Sequence, residues 1–239
     1  MKKLLILAFI VMVLLVFGLM VGCGFVLTGS GDLKIKEYAF SDFNRVEVSS
    51  AFEFEISRSN SYGISITADD NVIEKVQLTK EGDTLKIGLE TTPRLGSLTL
   101  KAVVNMPYLR GLAISGASRG TISGFSSAND MDIKLSGASK VSGDITAGDA
   151  DFKVSAASTV QLEGSANNIV ANVSSASRLN LGGFMVNNAN VNFSGASTGA
   201  VNVSGRLDAN LSGASKLSYI GEPAMGTINT SGASTLRKE

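Results

Sequence analysis

Val191-Asn192-Phe193-Ser194-Gly195-Ala196-Ser197-Thr198 is followed, eighteen residues on, by Ala209-Asn210-Leu211-Ser212-Gly213-Ala214-Ser215-Lys216. The two stretches share one pattern: apolar, Asn, apolar, then Ser-Gly-Ala-Ser. Working outward in both directions, the tetrapeptide or a one-residue variant of it occurs seven times, starting at Ser115, Ser136, Ser155, Ser174, Ser194, Ser212 and Ser231, at spacings of 18 to 21 residues. Self-similarity at this period marks a solenoid, whose rungs cannot bury their apolar faces alone and must lie on one another.

Aligned on the first Ser, the columns separate by polarity. Position minus one holds Ile114, Leu135, Val154, Val173, Phe193, Leu211 and Thr230; position minus three holds Leu112, Ile133, Phe152, Ala171, Val191, Ala209 and Ile228. Side chains alternate across a strand, so these two columns face inward. Position minus two reads Ala113, Lys134, Lys153, Asn172, Asn192, Asn210 and Asn229 and faces outward. Its last four members stack Asn over Asn, an amide ladder of the kind formed by in-register strands. After the motif, Val160 and Leu162, Leu179 and Leu181, Val201 and Val203, and Leu217 and Tyr219 make a second strand. Gly, Asn, Asp and Ser fill the rest of each rung as a corner, which leaves two or three strands per rung open. One motif repeated in one direction predicts an all-β chain, a right-handed parallel β-helix (solenoid) of about 19–20 residues per rung.

The motif carries its own expectations. Ala occupies the third position in every copy, which predicts a buried site too small for Val. Gly gives way to Ala156 and Ser175, so the expected reason for Gly is crowding between rungs ~4.7–4.9 Å apart, not a compulsory positive φ. The serines are expected to bond the turn backbone or one another along the stack. Seven rungs at that spacing make a rod of roughly 33 Å.

Ahead of the repeats the chain alternates over short spans: Phe52, Phe54 and Ile56; Ile64 and Ile66; Leu85, Ile87 and Leu89. These are half-buried strands. Turns fall at Asp69-Asp70-Asn71, Glu81-Gly82-Asp83 and Thr92-Pro93, with a short helical turn near Val72 to Val76.

Residues 1–23 stand apart. Lys2 and Lys3 precede an apolar run from Leu4 to Val21, and Leu19-Met20-Val21-Gly22-Cys23 resembles a bacterial lipoprotein cleavage site in which the Cys23 thiol is acylated. Met20 departs from the Leu usual there. The run is also long enough, at roughly twenty residues, to stay as a membrane-spanning anchor. Both readings tether an extracytoplasmic body to a membrane through its N-terminus. The expected organisation is a signal or anchor at 1–23, a linker at 24–41 and a single β-solenoid at 42–239, with the regular repeats over 109–239.

Several landmarks occur in order: Phe43-Asn44-Arg45-Val46-Glu47-Val48, Asp69-Asp70-Asn71, Gly82-Asp83-Thr84-Leu85-Lys86-Ile87, Val104-Asn105-Met106-Pro107, the Ser-Gly-Ala-Ser copies and Tyr219-Ile220-Gly221-Glu222-Pro223. In these the chain resembles the putative auto-transporter adhesin, head GIN domain family of bacterial surface proteins, over about Asp42 to Leu236. The resemblance implies a β-helical fold at the cell envelope and an adhesin-like role. It supplies no catalytic residue.

Composition narrows the chemistry. The chain has no His and one Cys, which removes a Ser-His triad and histidine metal ligation, and no cofactor is expected. Its 21 basic and 21 acidic residues cancel, which gives no recommendation of a nucleic-acid partner. The candidate contact surface is the pair of outward columns beside the motif: Lys134, Lys153, Asn172, Asn192, Asn210 and Asn229 before it, and Arg119, Lys140, Arg178 and Lys216, alternating in part with Thr159, Thr198 and Thr235, after it. A cell-wall polymer, a glycan or another envelope protein is the expected partner. Two alternatives stay open. One is a polysaccharide-active β-helix enzyme using Asp132 and Asp151 beside Lys134 and Lys153; the other is an accessory or sensor protein of an envelope-stress system. The Asp-rich turn Asp144 to Asp151 could hold calcium, but it lacks the repeated spacing of calcium-binding solenoids and reads as a corner.

Overall fold

The computed structural model describes residues 26–90 and 94–239; the expected signal or anchor, with Cys23, and the Thr92-Pro93 turn lie outside the described residues. Ahead of the repeats run β1 (Val26–Leu27), β2 (Leu33–Tyr38), β3 (Arg45–Val48), β4 (Glu53–Arg58), β5 (Gly63–Asp69), β6 (Val76–Glu81), β7 (Thr84–Leu89), β8 (Arg94–Leu95) and β9 (Leu100–Met106), with a 3-10 turn at Ile73–Lys75. The repeats supply β10 (Gly111–Ile114), β11 (Arg119–Ser126), β12 (Met131–Leu135), β13 (Lys140–Thr146), β14 (Asp149–Val154), β15 (Thr159–Val173), β16 (Arg178–Phe193), β17 (Thr198–Leu211), β18 (Lys216–Ile220), β19 (Ala224–Thr230) and β20 (Thr235–Lys238).

These strands form a parallel β-solenoid. Strands ahead of the motif stack in the order β7, β3, β10, β12, β14, the C-terminal parts of β15, β16 and β17, then β19. Strands after it stack as β9, β4, β11, β13, the N-terminal parts of β15, β16 and β17, then β18 and β20. At the lower end, where β7 and β9 lie, antiparallel strands continue both stacks: β6 on β7, β5 on β9 and β2 on β5. The stretch 24–41, expected as a linker, thus contains two strands. Its alternation of Leu33, Ile35 and Glu37 with Lys34, Lys36 and Tyr38 matches the period of a strand, and β5 offers it an edge.

The inward columns are buried as the alternation requires, from Ile114 to Leu211 at position minus one and from Leu112 to Ala209 at position minus three. Thr230, in the terminal rung, is exposed. A third, short side closes the rung: Phe125, Ile145, Phe184 and Val186 are also buried. Phe152 and Phe184 meet edge to face, with centroids 6.3 Å apart at 88°, a favourable arrangement of ring quadrupoles. The unequal repeat lengths are absorbed away from the motif. Register shifts occur between Ile122 and Phe125, Gln161 and Glu163, and Leu181 and Met185, whereas Val154, Val173, Phe193 and Leu211 stay aligned.

The motif turn differs from expectation in two ways. Ala117 and Ala138 are exposed, and the buried member is the fourth residue: Ser118, Ser139, Ser158, Ser177, Ser197 and Ser215 are each at most 1% exposed. Burial of a hydroxyl is tolerated where it is bonded, as it is in five of these six; Ser118 Oγ, in the first copy, has no partner among the described residues. Ser139 Oγ donates to Ser136 O at 2.8 Å, Ser197 Oγ to Ser194 O at 2.9 Å, and Ser158 Oγ accepts the Ser139 N–H at 3.2 Å. Second, φ is positive at the second position of all seven copies, including Ala156 at 54° and Ser175 at 55°. Crowding is real as well: a Cβ on Gly213 would lie 2.6 Å from Gly195 O.

The turn changes partway up the stack. In the first four copies the Ala also has positive φ, near 60°, and Ser118 N–H donates to Ser115 O at 3.3 Å, the geometry of a type I′ turn. There Ala117 N–H donates up the stack to Gly137 O, whereas Ala214 N–H donates down to Gly195 O. The peptide between positions two and three has flipped. Both departures from Gly fall among the first four copies, where a small L-residue occupies the left-handed region at about 1–2 kcal/mol.

At the lower end, Asp69 ties the entering chain to the body. It is 2% exposed, and its carboxylate accepts the N–H of Thr99 at 2.7 Å and of Gly31 at 2.8 Å. These donors hold its carboxyl below the usual carboxylate range. A depressed pKa contributes stability that is present above the unfolded value and lost as pH falls through the folded one. Asp69→Ala is expected to cost about 1–3 kcal/mol for each donor left without an acceptor. Limited proteolysis at residues 28–32 should rise in this variant at neutral pH and in the parent only in acid.

Candidate binding surface

The register places the post-motif residues in one outward column: Arg119, Lys140, Thr159, Arg178, Thr198, Lys216 and Thr235 are successive partners. The column continues downward through Glu53 and Lys101. Sequence reading missed this extension, although a signal exists. Ser49-Ser50-Ala51-Phe52 is an eighth copy of the turn, with φ of 63° at Ser50 and 60° at Ala51 and with Ala51 N–H donating to Gly116 O. Phe52 fills the buried fourth slot, so Glu53 falls in the slot of Arg119.

The column is not uniform in charge. Arg119 spends its guanidinium on Glu53 Oε1, at 3.0 Å from Nε and 2.8 Å from Nη2, and Lys101 pairs with Glu55 at 2.8 Å. Together with Lys140, Thr121 and Ser142 they line a shallow groove of about 350 Å³. Above it, Lys140 and Lys216 are exposed and make no ion pair among the described residues, and Arg178 Nε donates to Thr198 Oγ1 at 3.3 Å. A second shallow groove, of about 310 Å³, runs past Arg178, Asn180, Thr198 and Ala200.

The pre-motif column lies on the adjoining face, across the turn. Lys134, Lys153, Asn172, Asn192, Asn210 and Asn229 are successive partners. Asn192 Nδ2 donates to Asn172 Oδ1 at 3.2 Å, one step of the expected amide ladder. A better-bonded ladder occupies the corner: Asn188 Nδ2 donates to Asn168 Oδ1 at 2.8 Å, and Asn168 Nδ2 to Asp149 Oδ1 at 2.8 Å. That corner also includes the Asp-rich turn. Asp144 accepts the Gly124 N–H at 3.0 Å and Asp149 the Asn168 N–H at 3.1 Å, so both carboxylates stitch neighbouring rungs. Higher up, the Arg206 guanidinium beside Asp208, helped by the Thr227 N–H, lowers the Asp208 carboxyl to about 2.

Asp132 and Asp151 do stack, as do Lys134 and Lys153. Each carboxylate already faces a cation: Arg45 Nη1 reaches across Gly111 to Asp132 at 2.8 Å, and Lys153 Nζ lies 3.8 Å from Asp151. The depression beside them holds about 160 Å³.

These columns are flat polar faces of a parallel solenoid. The chain belongs to the putative auto-transporter adhesin, head GIN domain family, whose model matches residues 42–223. Among solved structures it is similar to a putative adhesin from Bacteroides fragilis (TM-score 0.83, 18% identity, covering 89% of this chain and 100% of that one). It is also similar to a putative adhesin from Parabacteroides merdae (0.67, 17%, 90% and 99%) and a putative lipid binding protein from Parabacteroides distasonis (0.73, 21%, 90% and 100%). At these identities the likeness is one of fold. No curated protein matches the chain.

Proposed function

We propose that this chain is a non-catalytic, membrane-tethered module of the cell envelope that binds an acidic surface polymer along its post-motif column. The observation that carries this reading is the alternation of Lys140, Thr159, Arg178, Thr198 and Lys216 in consecutive register. It sets a cation on every second rung, roughly 9–10 Å apart. A cell-wall polymer or glycan with one acidic group per extended disaccharide matches that period. The threonines between the cations offer hydroxyls to the neutral sugars between the charges. A rigid scaffold adds to affinity because little ordering is left for the binding step.

Other observations support the same reading. The family and two of the structural neighbours are described as putative adhesins. The apolar run Leu4 to Val21 and Cys23 support attachment to a membrane through either lipid or a spanning helix. Asp132 and Asp151 each face a cation on a shallow, open surface, an arrangement that favours the binding reading over an enzyme, whose carboxylate pair flanks an enclosed scissile bond.

Reversing the three cations tests the column. Lys140→Glu/Arg178→Glu/Lys216→Glu is expected to weaken binding of the full chain to an acidic polysaccharide at least roughly tenfold, with thermal stability unchanged. Binding by the parent chain should fall with added salt, because exposed charges are screened over ~8 Å at physiological ionic strength. Unchanged affinity in the triple variant would sink the proposal.

A further inference from the structure

The lower end of the rod carries exposed apolar groups on β2 and β1. Ile35 is 70% exposed and Leu33 54%, on the same side of β2, and Val26 in β1 is 49% exposed. Tyr108, Val170, Met185 and Met225, the other exposed large apolar residues among those described, lie on separate loops and strands. β2 is the last strand of its stack at this end, bonded to β5 on one side and with no partner on the other among the described residues. An open edge with apolar side chains pairs with other chains unless something covers it.

The path of the chain shows what lies nearby. Val26 follows Val21, the last residue of the apolar run, by five residues, so the end of that run lies within about 16–18 Å of β1 even if the link is fully extended. β1 cannot swing away from the body. Gly29 N–H donates to Ser97 O at 2.9 Å, Gly31 N–H donates to Asp69, and Asn71 Nδ2 donates to Thr28 O at 2.9 Å. The opposite side of β2 lies over Ala68, Ile66 and Ile64 of β5: Tyr38 packs against the core there and Lys36 Nζ pairs with Glu74 at 3.0 Å, so Leu33 and Ile35 are the apolar side chains that β2 turns outward. Lys34, exposed and without an ion pair among the described residues, suits the headgroup layer, where an apolar stem and a polar tip are both solvated.

We propose that β2 is a membrane-docking edge, with Leu33 and Ile35 seated at the boundary between headgroups and acyl chains of the bilayer that holds the N-terminal segment. The inference rests on the membrane tether proposed above. It fixes the orientation of the rod: the lower end sits on lipid, and β18, β19 and β20 are the rungs farthest from it. The cation column then runs outward from the membrane, where an envelope polymer can reach it.

The chain contains no Trp, so a single introduced Trp reports only its own position. Ile35→Trp, Leu33→Trp and, at the far end, Met225→Trp are each placed in the full chain and reconstituted into phosphatidylcholine/phosphatidylglycerol vesicles. Emission is read with and without lipids brominated near the headgroup. Emission at 35 and 33 is expected to shift to the blue and be quenched by brominated lipid, and emission at 225 to do neither. Protein that fails to float with the vesicles overturns both the tether and the docking. Protein that floats without quenching at 35 and 33 overturns the docking alone, and equal quenching at 225 overturns the upright orientation.

Discussion

Phe152→Ala is expected to destabilise the protein by about 3–5 kcal/mol, the range for emptying a fully buried aromatic site. Phe152 is completely buried and is one half of the edge-to-face pair with Phe184. Its ring occupies the position-minus-three column between Ile133 and Ala171, so the cavity opens between rungs. Ala171 above is too small to collapse into it. Each rung of a solenoid contacts only its neighbours, so the loss should be felt as weakened coupling between the parts of the stack on either side. Chemical denaturation checks the magnitude, and hydrogen exchange should show β12, β14 and β15 losing protection before β3 and β4. A change below ~1 kcal/mol would mean that the rungs are held by their backbone ladders and not by the inward columns.

Gly143→Ala should cost about 3 kcal/mol or more through overpacking and backbone strain together. Gly143 has φ of 141°, and a Cβ there would lie 1.8 Å from the Ile122 carbonyl oxygen of the rung below. No rotamer relieves that contact, because the obstructing atom is backbone. Gly164, one rung up, repeats the arrangement against Ile145 O at 2.0 Å with φ of 118°. The substitution has to part β11 from β13 at the corner where their register already shifts. Ser142→Ala, the neighbouring outward position, is the matched control and is expected to change stability by less than ~0.5 kcal/mol. Equal stability of the two variants would show that the corner is more pliable than its geometry indicates.

The inward columns could be read from the sequence because strand alternation and the repeat register act together: once Ser194 and Ser212 are aligned, Phe193 and Leu211 have only one face to occupy. The turn was read the wrong way round for a physical reason. Ala looks apolar and Ser polar, but in a turn held at positive φ the small Ala points out, and the following Ser enters the core because the turn itself presents carbonyls to its hydroxyl. The eighth copy was hidden by Phe52 and by the excursion through β5, β6, β7, β8 and β9 that separates it from Ser115. Its consequence is electrostatic. Glu53 pairs with Arg119, so Lys140, Arg178 and Lys216 are the cations of the post-motif column in the repeats without an acidic partner among the described residues. The third side of the rung was equally obscure, since Phe125, Ile145 and Phe184 sit among Gly, Ser and Asn at offsets that vary with rung length. Alternation alone could not show that Asp132 has Arg45 as a partner. Arg45 is far away in sequence and is brought over by Gly111.

Selectivity for charge spacing tests the central claim most directly. Calorimetric titration of the full chain would compare two extended polysaccharides of equal length, one acidic at every second sugar and one at every sugar, with a neutral polymer of the same backbone as reference. The cation period set by Lys140, Arg178 and Lys216 predicts that the polymer acidic at every second sugar binds most tightly per charge and that the neutral polymer does not bind. Affinity that simply tracks charge density, or equal binding of the neutral polymer, would contradict it.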